Sequence, residues 1–181
     1  GQAFKSAAQN GVVAINNSWG SSHDNSIVDE YTLTTSLGDS FLEGIKTAVA
    51  SDVIFVWSAG NSGTSQPGAE NSIPLYLTDG SGNLLFYDYS TGYYKNFITV
   101  VAYDTENDTI ASWSDRCGVA ENYCLTAPGT AILTTVDNSS GITAASGTSF
   151  SAPIVTAAVA VLKGAFPYLT GAEITKLLFV T

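Results

Sequence analysis

A three-layer α/β fold, with a mostly parallel sheet between flanking helices, is what this sequence predicts, and three observations predict it. Apolar, β-branched runs recur at residues 12–16, 53–57 and 97–103, as strands buried on both faces require. Stretches of helical periodicity lie between and after these runs. No hairpin signal joins the first strand to the second, so the grammar is that of a parallel sheet.

The elements follow in order. Residues 2–9 read as the tail of an amphipathic helix, closed by Asn10 and Gly11 as a C-terminal stop. After the strand at 12–16, residues 21–37 carry Ser, Asp, Asn and Thr throughout and are expected to form a surface loop. Asp39 and Ser40 are expected to cap a helix through Ala50, with Phe41, Leu42, Ile45, Ala48 and Val49 on one face. The second strand is 53–57. Residues 73–78 and 84–89 are β-rich and flank Asp79-Gly80-Ser81-Gly82-Asn83, which predicts a hairpin insertion near 73–89. The third strand is 97–103, with shorter ones expected at 124–127 and 131–136. Residues 149–165 form an apolar, alanine-rich helix in which Pro153 is tolerable only in the first turn. Thr170 and Glu173 make a capping box that opens a last helix at 172–179. Without repeats, linkers or low-complexity segments, residues 1–181 read as one domain or most of one.

Composition narrows the function classes. The 181 residues hold 6 Lys+Arg against 16 Asp+Glu, a formal net charge of -10. That balance argues against nucleic acid and against anionic membrane surfaces as partners, since both need basic stripes. No apolar run is expected to reach the length of a bilayer span, because Pro153 and Thr156 interrupt the best candidate, around 152–162. There is no methionine and no secretory leader, so the sequence is expected to be a piece of something longer. Cys117 and Cys124 do not have CxxC spacing, and no paired His or further Cys supports a metal. They read as a local disulfide in an oxidising compartment, the alternative being two buried thiols in a cytosolic protein.

Three fragments carry chemistry. Ser149 lies between Gly147-Thr148 and an apolar helix, facing the positive end of a helix dipole beside unpaired backbone N–H groups. Such a place stabilises an alkoxide-like nucleophile and supplies one oxyanion donor. By itself Gly-Thr-Ser is an ordinary N-cap, and it is not a nucleophile elbow. The second strand ends in Ser58-Ala59-Gly60-Asn61, where a side-chain amide can donate into a crevice at the strand's carboxyl end. The first ends in Ser18-Trp19-Gly20. Each fragment alone is more often a turn than a site.

Together, in this order and at these places, the three fragments resemble the subtilisin-like serine peptidases, or subtilases. The resemblance covers the chain apart from 21–37 and the hairpin. It implies Ser149 as nucleophile, Asn61 as oxyanion donor, and Ser18, Trp19, Gly20, Ser58, Ala59 and Gly60 as residues lining the substrate cleft and its first specificity pocket. The segment from Arg116 to Cys124, followed by Leu-Thr-Ala-Pro-Gly129, is similar to the corresponding loop of subtilases carried on autotransporters of Gram-negative bacteria. A secreted or bacterial cell-surface location is implied, with a peptide or protein as substrate.

The family order is acid, histidine, serine, and on this resemblance both earlier members precede residue 12. The fold is thus expected to be incomplete at the N-terminus, a partner supplied by the same domain to be missing, and the isolated chain to be inactive and to self-associate. The only histidine, His23, lies in a polar stretch and reads as a solvated surface residue. Asp24, Asp29 and Asp39 read as loop and cap residues. No motif implies a cofactor or a metal. The alternative is a non-catalytic binding or adhesion module on the same fold. A nucleotide-binding domain is disfavoured, since no Gly-x-Gly-x-x-Gly follows a strand.

Overall fold

The computed structural model describes residues 1–20, 27–135 and 140–180. The chain runs α1 (Gln2–Gln9), β1 (Ala14–Asn17), α2 (Glu30–Leu37), α3 (Asp39–Ala50) and β2 (Ile54–Ser58). A 3₁₀ turn (Ala69–Ser72) leads into α4 (Ile73–Tyr76), then β3 (Tyr87–Asp88), β4 (Tyr93–Tyr94), β5 (Phe97–Asp104) and β6 (Thr109–Ile110). A second 3₁₀ turn (Gly118–Tyr123) precedes β7 (Cys124–Pro128), β8 (Ile132–Thr135), β9 (Ile142–Ala145), α5 (Thr148–Ala165) and α6 (Gly171–Val180).

Strand β2 is central because both its faces are apolar. Phe55 and Trp57 enter one core, Ile54 and Val56 the other, and all four are fully buried. Strands β1 and β5 pair with β2 in parallel, β7 pairs with β5 in parallel, and the short β6 closes on β5 antiparallel. Helices α1 and α3 contribute Phe4, Leu42, Ile45 and Ala48 to the first core, where the rings of Trp57 and Phe97 stack at 5.9 Å. Helices α5 and α6 cover the second with Ala152, Val155, Val159 and Ile174. Helix, sheet, helix is the layering the sequence predicts.

The main strands and the last helices fall within a residue or two of their expected bounds. The capping box at α6 is present: Thr170 N–H donates to Glu173 Oε2 and Glu173 N–H to Thr170 Oγ1. Cys117 and Cys124 form a disulfide with Cα atoms 5.8 Å apart. A loop this short is constrained by about 2–3 kcal/mol in the chain-entropy account, so the bridge pins the 3₁₀ turn more than it holds the fold.

Four expectations are corrected. The segment from Glu30 to Leu37 is helical, not loop; residues 21–26, with His23, lie outside the described residues. Asp29 accepts from Thr32 N–H at 2.7 Å and fully buried Leu33 anchors the helix, which a polar, Thr-rich composition hides. The hairpin at 73–89 is displaced. Ile73–Tyr76 is a turn of helix started by Pro74, and the ribbon is β3 with β4; only an isolated Thr78–Leu84 bridge remains of the expected pairing. Pro153 lies beyond the first turn of α5, and the contact that tolerates it belongs to the site described below. Finally, α5 has 18 residues and a mean hydropathy of 1.3, long and apolar enough to cross a membrane. Here it packs through Thr148, Ser151, Ala152, Val155 and Val159 onto the sheet.

Candidate active site

The carboxyl ends of β1 and β2 and the N-terminus of α5 meet around a crevice of about 300 Å³. Trp19, Gly20, Ser58, Ala59, Gly60, Asn61 and Ser149 line it, which brings together residues up to 130 positions apart that the sequence singles out separately. Ser18 stands beside it, in contact with Ser149.

Ser149 is the second residue of α5. Its N–H has no acceptor among the described residues, as the first turn of a helix dictates, and its hydroxyl donates to the Ser18 carbonyl at 3.2 Å. The Ser149 carbonyl would ordinarily accept from residue 153, but Pro153 has no N–H. The Ser18 hydroxyl takes that place at 2.8 Å and in turn accepts from Asn16 Nδ2 at 2.9 Å. Proline at 153 is therefore tolerated because the cleft strand supplies the missing donor. The same exchange locks the end of β1 to the first turn of α5.

Asn61 has a fixed orientation. Its Oδ1 accepts from Thr148 N–H and from Thr148 Oγ1, both at 2.9 Å, and Gly60 N–H donates to Thr148 Oγ1 at 3.3 Å. An N–H donor demands an acceptor, so the amide oxygen faces Thr148 and Nδ2 is the other end of the amide. A side chain at Gly147 would stand 3.7 Å from Nδ2, which puts that donor next to the helix N-terminus.

Three residues that sequence reasoning did not single out complete the walls. Thr148, fully buried, links Gly60 to Asn61. Asp115, 5% exposed, accepts from Ser62 N–H, Thr64 N–H and Thr64 Oγ1 at 2.8 to 3.0 Å and shapes the loop after β2. Gly60 has φ +120 and presses on Asp115 Oδ2, so any side chain there would be strained and would clash. Glu70, also 5% exposed, lines the crevice from the first 3₁₀ turn. Its neighbour Asn71 fixes that turn: the side chain donates to the Ser58 and Gly68 carbonyls and accepts from Thr99 Oγ1. The Tyr123 hydroxyl donates to the Asn71 carbonyl at 2.8 Å, and burial, then the nearby Tyr94 and Tyr76, push its ionisation far up. Trp57 donates its indole N–H to the Trp19 carbonyl at 2.9 Å, so the stacked core positions the cleft strand directly.

A serine at a helix N-terminus, beside an amide oriented by its neighbour, on the carboxyl edge of a parallel sheet, is a candidate place for a hydroxyl nucleophile and an oxyanion donor. The family model of the Subtilase family matches residues 1–181, and the chain belongs to that family. It is 36% identical over 183 residues to serotype-specific antigen 1 of Mannheimia haemolytica, covering 95% of this chain and 18% of that protein. It is 26% identical over 204 residues to the autotransporter lipoprotein NalP of Neisseria meningitidis, covering 99% of this chain and 19% of that protein. Among solved structures, the prenylagaramide maturation protease PagA superposes with a TM-score of 0.66 at 25% identity, covering 91% of this chain and 48% of that one. The chain thus spans about a fifth of these curated relatives and about half of that solved chain.

Proposed function

We propose that these residues form the nucleophile-bearing part of a serine endopeptidase. Ser149 attacks the peptide carbonyl. Asn61 Nδ2 and the Ser149 N–H hold the oxyanion that develops, and the substrate lies extended along Ser18, Trp19 and Gly20. The observation that carries the reading is the hydrogen-bond lock of Asn61 Oδ1 onto Thr148, which fixes the amide at the crevice lining beside the start of α5 and keeps its oxygen occupied, so that Nδ2 is the end available to donate. Such a donor acts without reorganisation when charge develops.

The base and its orienting acid come, on this reading, from residues of the parent protein other than these 181. Among the described residues the Ser149 hydroxyl donates to a backbone carbonyl and not to an imidazole. The disulfide and the autotransporter named among the relatives support a secreted or cell-surface location. A polypeptide is the fitting substrate, since a maturation protease is among the structural neighbours.

The isolated chain should label negligibly with a fluorophosphonate, whereas the full-length protein should label at Ser149 and lose the label in Ser149→Ala. A serine deprived of its histidine loses about 10⁶ in turnover. Rapid stoichiometric labelling of the isolated chain would show that the base lies within it. No labelling of the full-length protein would remove the peptidase reading.

A further inference from the structure

We propose that the Cys117–Cys124 disulfide is a positioning element of the crevice. It roots the wall that Asp115 shapes in the sheet and so sets how firmly a substrate is held, leaving the reactivity of Ser149 unchanged. The inference rests on the peptidase reading above and gives the bridge a role in substrate binding at that same site.

Backbone of the loop after β2, with Gly68 and Asp115, lines one side of the crevice. The bridged loop grips this wall from both of its ends. At the Cys117 end, Asp115 N–H donates to the Gly60 carbonyl and Arg116 N–H to the Thr64 carbonyl, each at 3.0 Å. Asp115 Oδ1 accepts from Ser62 and Thr64 as well. The 3₁₀ turn adds a grip of its own: Val119 N–H donates to Gln66 Oε1 at 2.9 Å. Gly118, with φ +46, leaves room for that amide where a side chain would run into it. At the Cys124 end, the buried Tyr123 donates its hydroxyl to the Asn71 carbonyl. Asn71 donates in turn to the Ser58 and Gly68 carbonyls, and Gly68 N–H donates to the Ala59 carbonyl at 2.8 Å.

The two ends differ in what holds them. Cys124 opens β7 and pairs with Thr99 of β5, and the Tyr123 ring packs on Tyr94 and Phe97. Cys117 lies outside every strand, and Val119, Glu121 and Asn122 in the turn after it are exposed. The bridge, with Cα atoms 5.8 Å apart, therefore ties the stretch that carries Asp115 to a strand of the sheet. Ser149 and Asn61 are held separately, through Ser18 and Thr148, by hydrogen bonds that do not pass through the bridged loop. Loss of the bridge thus loosens the wall against which substrate rests, and spares the groups that act on its carbonyl. Contacts made equally in the ground and transition states appear in KM and not in kcat.

The test uses the full-length protein and one peptide substrate. Cys117→Ser combined with Cys124→Ser should raise KM about 3–10-fold, with kcat and the rate of fluorophosphonate labelling within about twofold, a loss of the size that one hydrogen bond carries. Tyr123→Phe, which removes only the hydroxyl, should raise KM about threefold. Added to the bridge-free protein it should do less than it does alone, because both changes act on one wall. Tyr123→Phe keeps the bridge, so it decides the matter even if the cysteine variant does not fold. A merely structural bridge would lower kcat and the labelled fraction together at constant KM. That result, or an unchanged KM in Tyr123→Phe, would overturn the assignment. Labelling of the wild type separates the two claims: labelling with an unmoved KM removes only the role of the bridge, whereas absence of labelling removes the peptidase reading and this assignment with it.

Discussion

Asn61 shows how a residue acquires a fixed orientation from its neighbours. An exposed asparagine after a strand is chemically ordinary until Thr148 claims its oxygen twice. If Asn61 holds the oxyanion as proposed, replacing it by leucine in the full-length protein should lower kcat by about 10²–10³ and leave KM within a few-fold, since such a donor acts on charge that only the transition state carries. Steady-state kinetics on one peptide substrate decide it, and a change confined to KM would mean that Asn61 merely binds substrate. Thr148→Val is the companion test of positioning: it should lower kcat less and add nothing once Asn61 is gone. The candidate residues Ser149 and Asn61 and their neighbours around the crevice stand out in the sequence because each sits in a contiguous fragment at the end of a strand or the start of a helix. Glu70, Asp115 and Asn71 do not. Their places are set by contacts such as Asn71 with Thr99 and Thr64 with Asp115, 28 and 51 positions apart, which leave no local pattern to read.

Among the elements, those with an apolar period were read well and those held by polar contacts were not. β2 and β5 declare themselves as unbroken apolar runs, and α5 by its alanine-rich face. α2 has a single fully buried anchor, Leu33, and owes its start to Asp29 and Thr32; β3 and β4 are two residues each and are shaped by turn carboxylates. These polar devices share an electrostatic signature. Hydrogen bonds from Thr32 hold Asp29 below its ordinary value, as those from Asn83 and Ser81 do Asp79, Asn107 Asp104, and Thr170 Glu173. Asp88, facing Ser90 and Thr91, is lowered to about 2. A carboxylate depressed in the folded state stabilises it above the ordinary value, and that contribution is lost as pH falls through the folded one. All five lie at the surface, so each effect is small, and the easing of a net charge of -10 opposes them. The Tm should therefore hold or rise slightly from pH 7 to about 5, then fall between about pH 4.5 and 2. Asp88→Asn should flatten the lowest part of that fall. A Tm that keeps rising to pH 2 would show that charge repulsion, not turn and cap bonding, governs the acid limb; differential scanning calorimetry across that range reads it directly.

At the scale of the whole molecule, the sheet has an unprotected side. β1 pairs only with β2 among the described residues, so its outer edge presents free backbone groups. The run Val12, Val13, Ala14, Ile15 carries neither lysine nor proline to block a further strand. Beside that edge, Phe4, Ala7, Ile15, Trp19 and Phe41 line an open hollow of about 400 Å³, with Trp19 50% exposed. On the other side, the outer surface of α5 shows Ile154 and Val161. Apolar surface next to a bare strand edge is what a second chain, or another part of the same one, would cover. The 181-residue chain on its own should therefore form dimers or larger species at micromolar concentration, by edge pairing or by exchange of α1 between copies. Val13→Lys should shift light scattering toward the monomer, because a lysine beside the edge opposes pairing while its stem can reach solvent. Charge repulsion between copies works against association, so added salt should strengthen it. In a longer chain that covers β1, the same lysine should have no effect on oligomeric state, which separates edge pairing from a surface effect of the substitution. A monomeric 181-residue chain with one cooperative heat transition would mean that residues outside the described set close the edge, and association through β1 would be excluded.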